Sequence, residues 1–234
     1  MLRTWLKAVA VCTLVAGFSQ TSTAQIAQII PVDEAESIPD LQAFRDKMLQ
    51  AVVERDVDTI VNMASDDIML DFGGGSGQDT LRQRLSETAL FFYSEEEDPA
   101  DTTRYREEFW LGLESALRLG GVYDAEQQEF TAPHYFRADI GDVPYDPFST
   151  YFVVTNNVAV RDRPNRYGRI IDRLDYELVA RLEGGEGTSY IRVQLDGDRS
   201  GWVHADLLRS VVDYRAVFSK DSGTWKMTVL IAGD

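Results

Sequence analysis

Histidines are scarce in this sequence, whereas carboxylates are abundant. The chain has two histidines, His134 and His204. A metal site would therefore have to use carboxylates, and Asp66, Asp67 and Asp71 are the nearest cluster. Carboxylates and imidazoles act as general acids or bases when burial shifts their pKa values toward neutrality. Because 39 residues are Asp or Glu, a cluster of three is weak evidence for a metal or catalytic site. Helix capping and contact with solvent explain it better. The sequence predicts neither a metal site nor a cofactor.

A general acid–base enzyme or small-ligand binder nevertheless stays open as an alternative. It would use a cone-shaped pocket in the first part of the chain, lined by Tyr93, Tyr105, Trp110, Asp71 and His134. Such a pocket would have to bury the carboxylate or the imidazole to tune its pKa.

Two short loops imitate ligand sites. Residues 73–77 form a glycine-rich run between a strand and a helix, where backbone amides can cradle an anion. The run lacks the Gly-Lys-Ser/Thr ending of a P-loop, so it predicts a tight turn. Residues 196–201 have the acidic spacing that opens a calcium loop, but Leu207 stands where the bidentate glutamate is needed. This segment therefore predicts a hairpin turn.

Residues 1–24 have the pattern of a secretory signal peptide. A basic start at Arg3 and Lys7 precedes a short apolar run and small residues up to Ala24. A membrane anchor is the alternative, but the run is too short for a spanning helix, which needs about 20 residues. The only cysteine, Cys12, would leave with this segment. The mature chain would then have no thiol for nucleophilic catalysis, disulfides or metal binding.

The charge of the chain restricts its partners. Loss of Arg3 and Lys7 lowers the net charge from −16 to −18. A strongly acidic surface repels nucleic acid and anionic lipid, since both are bound through cationic side chains. We therefore expect no nucleic-acid partner, no membrane insertion after cleavage, and a weak bias toward cationic ligands.

The apolar periodicity divides the mature chain into three parts after a polar leader at residues 25–39. Residues 40–150 predict an α+β domain, with a helix capped by Asp40, a second helix capped by Asp56 or Asp58, and a strand over 68–72. A long helix over 105–119 ends at two glycines. From residue 123 to residue 150 the prolines predict a loop-rich segment.

Residues 151–211 predict a small β-barrel, because short strand patterns alternate with tight turns. The predicted strands lie at residues 152–154, 158–160, 170–174, 178–182, 190–195 and 202–204. Residues 212–234 predict a β-hairpin around Asp221-Ser222-Gly223. Its strands are expected to pair back onto residues 68–72, which would make the barrel an insertion.

The segment 157–164, Asn-Val-Ala-Val-Arg-Asp-Arg-Pro, is similar to the opening strand and loop of the bacterial Src-homology-3 (SH3b) family. Residues 190–193, Tyr-Ile-Arg-Val, and residues 201–204, Gly-Trp-Val-His, resemble later strands of that family. The resemblance covers residues 151–211 and implies an SH3-like barrel that binds peptides or cell-wall material. The flanking helix–helix–strand opening and the terminal strand more loosely resemble nuclear-transport-factor-2-like (NTF2-like) proteins.

Asp162, Tyr190, Trp202 and His204 are the predicted ligand-binding residues of this barrel. Aromatic rings offer flat apolar area with a polar edge, and Asp162 could meet a cationic group. The alternative is that Trp202 and Tyr190 belong to the barrel core, and that His204 is an ordinary surface residue.

The sequence as a whole predicts a periplasmic or secreted envelope protein that acts as a non-catalytic binding module. Its expected partner is a peptide, a cell-wall glycopeptide or an envelope protein. Besides the enzyme described above, a structural or accessory protein that contacts another envelope protein remains an alternative.

Export is directly testable through the mature N-terminus. Expression of the full chain in an export-competent bacterium should yield a protein that begins at Gln25. Intact-mass spectrometry of the envelope fraction checks this, and a purified chain that retains Met1 would contradict it.

Overall fold

A computed structural model describes residues 28–86, 99–138 and 146–233, which contain helices and two β-sheets. The predicted signal peptide lies outside these residues. None of the described helices has the length and apolar character needed to cross a membrane. The predicted α+β class is confirmed by the presence of helices and sheets in one chain.

The elements follow one another in an order that returns to the first sheet at the end. The first part contains α1 (Pro39–Glu54), α2 (Val57–Met63), β1 (Ala64–Met69), α3 (Gln78–Leu85), α4 (Pro99–Arg118), β2 (Val122–Asp124) and β3 (Glu129–Ala132). The second part contains β4 (Thr150–Val153), β5 (Val158–Arg161), β6 (Ile170–Leu174), β7 (Leu178–Leu182), β8 (Tyr190–Gln194), β9 (Ser200–His204) and β10 (Leu208–Ser210). The last strands are β11 (Arg215–Asp221) and β12 (Thr224–Ile231).

The helix–sheet unit, residues 39–132 and 215–231, is built on a five-stranded sheet with the order β1-β12-β11-β3-β2. Apolar side chains from the helices and the sheet fill the space between them. The largest fully buried members include Leu41, Met48, Phe109, Leu113, Phe130 and Phe218. This filling is the expected result of apolar residues at helical spacing, which place one stripe of each helix on the sheet.

Helix starts in this unit were only partly predicted. Asp56 caps α2 by accepting a hydrogen bond from the Thr59 backbone N–H at 3.1 Å, which confirms that assignment. The prediction that Asp40 caps α1 is wrong, because the helix already begins at Pro39, whose fixed φ suits the first turn. The Asp40 carboxylate instead contacts Lys220 Nζ at 2.6 Å.

The strand predicted over residues 68–72 is displaced toward the N-terminus. β1 spans Ala64–Met69, and the chain then turns back, with Leu70 N–H bonded to the Gly75 carbonyl at 2.9 Å. Gly77 has a φ of 89° and its N–H returns to the Ile68 carbonyl. The glycine run is therefore part of a tight turn, as predicted, and this turn also includes Phe72, which the prediction had placed in the strand.

The loop-rich prediction for residues 123–150 is also wrong in its first half. β2 and β3 lie there and complete the five-stranded sheet, with Thr131 opposite both Val122 and Val217. β2 has three residues, and β3 is buried at three consecutive positions. Neither strand shows the alternation by which half-buried strands are recognised.

The strand unit, residues 150–210, forms a seven-stranded sheet with the order β10-β4-β7-β8-β9-β5-β6. The six strands predicted in this region are confirmed with small boundary shifts, and β10 is an additional strand. The predicted turn at residues 196–198 joins β8 to β9 in antiparallel register. Closure of this sheet into a barrel stays a prediction, since β10 and β6 stand at its two edges.

The C-terminal hairpin pairs back onto the helix–sheet unit, as predicted. β12 is parallel to β1, with Ala64 opposite Met227, and antiparallel to β11. The strand unit therefore enters the chain between β3 and β11. Its two ends lie side by side, because β10 pairs with β4 through Ser210 opposite Tyr151.

Residues 28–37, which we call the strap, connect the two units. At one end Ile29 N–H donates to the Tyr176 carbonyl at 2.9 Å. At the other, Glu34 N–H donates to the Gly121 carbonyl at 3.0 Å. The segment predicted to be a polar leader thus has two buried apolar residues. Ile29 packs in a cluster with Tyr135, Phe152 and Leu178, and Ala35 lies in the core of the helix–sheet unit.

Replacement of Ile29 by Ala should destabilise the protein by about 2–4 kcal/mol, because it leaves a cavity among packed side chains. Ile30→Ala is the matched control, since Ile29 is 6% exposed and Ile30 is 60% exposed. The control should change stability by less than about 0.5 kcal/mol. Urea unfolding measures both, and equal effects of the two substitutions would contradict the anchoring role of Ile29.

Candidate functional site

Three of the four predicted ligand-binding residues lie on one surface of the strand unit. Tyr190 is directly opposite His204, and Arg192 is directly opposite Trp202, in the antiparallel pair β8–β9. Side chains opposite each other, and those two residues apart along a strand, share a face. We call the surface formed by Tyr190, Arg192, Trp202 and His204 the ligand face.

Trp202 is half-buried and lies at the middle of this face. Its neighbours Gly201 and Val203 are buried and point to the opposite side. A Cβ atom added to Gly185 would stand 2.4 Å from the indole, so this glycine lets the backbone contact one edge of the ring. The indole is therefore contacted along one edge and is accessible elsewhere. It does not belong to the buried cluster of the strand unit, which contains Val160, Val193 and Val203.

Tyr190 and His204 form an edge-to-face pair on the same surface. Their ring centroids are 5.1 Å apart and the ring planes meet at 79°. This is a preferred geometry for aromatic pairs, because the positive edge of one ring meets the negative face of the other. His204 Nδ1 also accepts a hydrogen bond from the Asp206 backbone N–H at 3.4 Å. Both rings are thus held in place while they remain half-exposed.

Asp162 is already engaged by groups of its own loop. Its carboxylate accepts a hydrogen bond from the Arg169 backbone N–H at 2.8 Å, and it lies within 4 Å of the Arg163 and Arg169 side chains. The cationic groups that Asp162 contacts are therefore arginines of its own loop. Its hydrogen bond to the Arg169 N–H joins the two ends of the β5–β6 connection.

That connection, residues 161–169, was expected only as a loop of the SH3b resemblance, and its charge was not predicted. It contains four arginines and one aspartate, and we call it the arginine loop. It leaves the sheet at Arg161, which is opposite Trp202 in the β5–β9 pair. A count of charges within a nine-residue window would have found it, whereas the acidic total of the chain conceals it.

The candidate acid–base residues of the alternative enzyme pocket, Asp71 and His134, do not meet within the described part of the chain. Trp110 is buried in the core of the helix–sheet unit, where its indole N–H donates to the Leu85 carbonyl at 3.2 Å. Asp71 lies in the glycine-rich turn, and His134 faces the strand unit through Phe152, with ring centroids 5.5 Å apart. Tyr105 lies on α4, and Tyr93 lies outside the described residues.

The Asp71 carboxylate occupies the place that a bound anion would take in the glycine-rich turn. Its carboxylate accepts the Gly75 N–H at 2.9 Å and pairs with Arg84 at 2.5 Å. Burial acts to raise the pKa of Asp71, but the Gly75 hydrogen bond and the Arg84 guanidinium outweigh it and lower that pKa. Asp71 is therefore an ionised structural partner of Arg84.

His134 is buried at the junction between the two units. Its Nδ1 lies 2.5 Å from the Leu119 carbonyl. Its Nε2 is buried and has no hydrogen-bond partner among the described residues. Burial lowers the pKa of His134 below its ordinary value, against the smaller opposing effects of the Leu119 and Ile29 carbonyls and Asp33. The imidazole is neutral at neutral pH.

Open grooves also occur at this junction. One, of about 440 Å³, is lined by residues of the strap together with Arg118, His134 and Tyr176. A neighbouring groove of about 230 Å³ shares Arg118, Leu119 and Val154 with it. Both are open clefts between the units, in contrast to the filled interior of the helix–sheet unit.

Within the three described ranges, no group of three or more His, Cys, Asp or Glu side chains is placed to hold a metal ion. Comparisons with protein-family models, with curated proteins and with solved structures found no match for this chain.

The burial of His134 predicts a loss of stability in mild acid. The unfolded chain takes up a proton near pH 6.5, whereas folded His134 does so only at lower pH. Protonation then favours the unfolded state, so the free energy of unfolding should fall as the pH drops below about 6.5.

Urea unfolding between about pH 7 and pH 5 measures this fall. His134→Gln should remove the part of the fall that is due to His134, and His204→Gln, at the half-exposed histidine, should retain it. Equal pH dependence in both variants would contradict the assignment.

Proposed function

We propose that this chain is an exported envelope protein that acts as a non-catalytic binding module, and that it binds a peptide or cell-wall ligand through the ligand face. In this proposal the strand unit is a closed SH3-like barrel carried by an NTF2-like helix–sheet unit. The predicted signal peptide supports export.

The half-exposed indole of Trp202 is the observation that carries the proposal. It is immobilised along one edge by Gly185 and flanked in register by Arg192 and Arg161. A fixed aromatic ring loses little conformational entropy when a ligand packs on it, so it contributes most of its contact area to affinity. The adjacent pair Tyr190 and His204 extends this platform with two further rings.

The absence of convergence among the candidate acid–base residues supports a binding role over catalysis. A general base must lie within hydrogen-bond reach of its substrate and be tuned toward neutral pKa. Asp71 is tied to Arg84 and its pKa is lowered. His134 lies in a different part of the fold, against Phe152.

The accessory role is the second candidate, and the filled interior of the helix–sheet unit favours it. Phe109, Phe130 and Phe218 occupy the space in which an internal ligand would have to bind. In this alternative the ligand face contacts another envelope protein in place of cell-wall material, and the helix–sheet unit serves as its support.

Trp202→Ala should reduce retention of the mature protein on purified peptidoglycan by roughly tenfold, which corresponds to a hot-spot side chain. Trp202→Phe should retain part of the binding because it keeps an aromatic ring next to Gly185. Phe148→Ala is the control, since Phe148 is an exposed aromatic residue in the short helical turn just before β4.

Circular dichroism establishes that the variants are folded in this co-sedimentation assay. Retention of Trp202→Ala at the level of the unmodified protein would contradict the proposal. Failure of the unmodified protein to bind peptidoglycan, with Trp202-dependent capture of an envelope protein, would favour the accessory role.

A further inference from the structure

The charges of this chain are divided unequally between its two units. Residues 150–210 contain nine arginines, nine acidic residues and no lysine, so the strand unit is neutral and the net charge of −16 lies in the rest of the chain. Within the strand unit, the arginine loop has a local charge of +3, from four arginines and Asp162. It is a cationic surface on an otherwise acidic protein.

The arginine loop is held in one conformation by its own hydrogen bonds. Two hydrogen bonds join Asp162 and Arg169 across its base. The Asp162 N–H donates to the Arg169 carbonyl at 3.0 Å, and the Arg169 N–H donates to the Asp162 carboxylate at 2.8 Å. Arg161 Nη1 donates to the Gly168 carbonyl at 2.8 Å. The Asn165 side chain accepts from the Tyr167 N–H at 3.0 Å. The loop is therefore preorganised, which reduces the entropy lost when a ligand binds.

The tip of the loop presents cationic and aromatic groups to solvent. Arg163 and Arg169 have side-chain exposures of 69% and 79%, and Tyr167 is 77% exposed. The Arg166 guanidinium stacks over the Tyr167 ring, 4.8 Å from its centroid. Guanidinium groups bind carboxylates through paired N–H donors in a fixed planar geometry.

We propose that the arginine loop selects acidic peptides, rich in Asp and Glu, for the ligand face. The loop begins at Arg161, which is opposite Trp202, so a peptide lying on the indole can place its carboxylates against the loop. This inference rests on the proposed function and names the chemistry of its ligand. It replaces the cationic ligand that the acidic composition suggested, because Asp162 is occupied within the loop.

A short acidic peptide fits this charge distribution better than a long polyanion does. Electrostatic attraction to the loop extends over a Debye length of about 8 Å at physiological salt. A nucleic acid or an anionic membrane would extend beyond that distance and meet the acidic remainder of the chain, which repels it. A peptide of a few residues can remain within the field of the loop.

The test is fluorescence anisotropy of a labelled Glu-rich peptide that contains one tyrosine, titrated with the mature protein. The same peptide with each Glu replaced by Gln should bind roughly tenfold more weakly or worse, and added salt should weaken the acidic peptide selectively. Arg166→Glu should weaken the acidic peptide by roughly tenfold. Lys47→Glu, an equal charge change on the exposed side of α1, should leave its affinity within about twofold.

The outcomes separate this inference from the proposed function. Trp202-dependent binding of neutral or basic peptides that is unaffected by Arg166→Glu would overturn the acidic selectivity and leave the binding module intact. Equal affinity for a single-stranded oligonucleotide or anionic vesicles would overturn the restriction to peptides. If the acidic peptide does not bind, the inference is overturned. If, in addition, retention on peptidoglycan does not depend on Trp202, the proposed function is overturned as well.

Discussion

The parallel pairing of β12 with β1 is the constraint on which the rest of this structure depends. It joins the C-terminus to the first strand of the chain, with Ala64 opposite Met227. The strand unit is consequently an insertion, and its ends must return to one place. The β4–β10 pair satisfies this requirement because it brings Tyr151 and Ser210 together, as insertions between domains need. The loops and the face of the inserted sheet are then free to vary for binding.

Much of the fold could be predicted because its strands are half-buried and alternate. This holds for β5, β9 and β11, whose buried positions alternate. β7 is buried at three consecutive positions, and its five apolar-rich residues between turns were enough to predict it. The prediction failed for β3, which is buried at three consecutive positions and has only four residues, and for β2, which has three. The role of the strap was missed because its two buried apolar residues, Ile29 and Ala35, are too few to define a period.

The sequence predicted the aromatic residues of the candidate site but not the cationic loop beside them. Tyr190, Trp202 and His204 were selected one by one, and strand register brings them to one face. The arginine loop was hidden because the net charge of −16 averages over both units. Asp162 was expected to meet a cationic ligand group, and its carboxylate instead contacts Arg163 and Arg169 of its own loop. Charge has to be evaluated per surface, since screening confines its effect to short distances.

The indole resonances of the mature protein in a two-dimensional NMR titration test the central claim most directly. Of its three tryptophans, Trp110 and Trp225 are buried in the helix–sheet unit and Trp202 lies on the ligand face. Addition of soluble peptidoglycan fragments or of the acidic peptide should shift the Trp202 indole signal and leave the other two unchanged. A shift confined to Trp110 or Trp225, or an unchanged Trp202 signal at saturating ligand, would contradict the account.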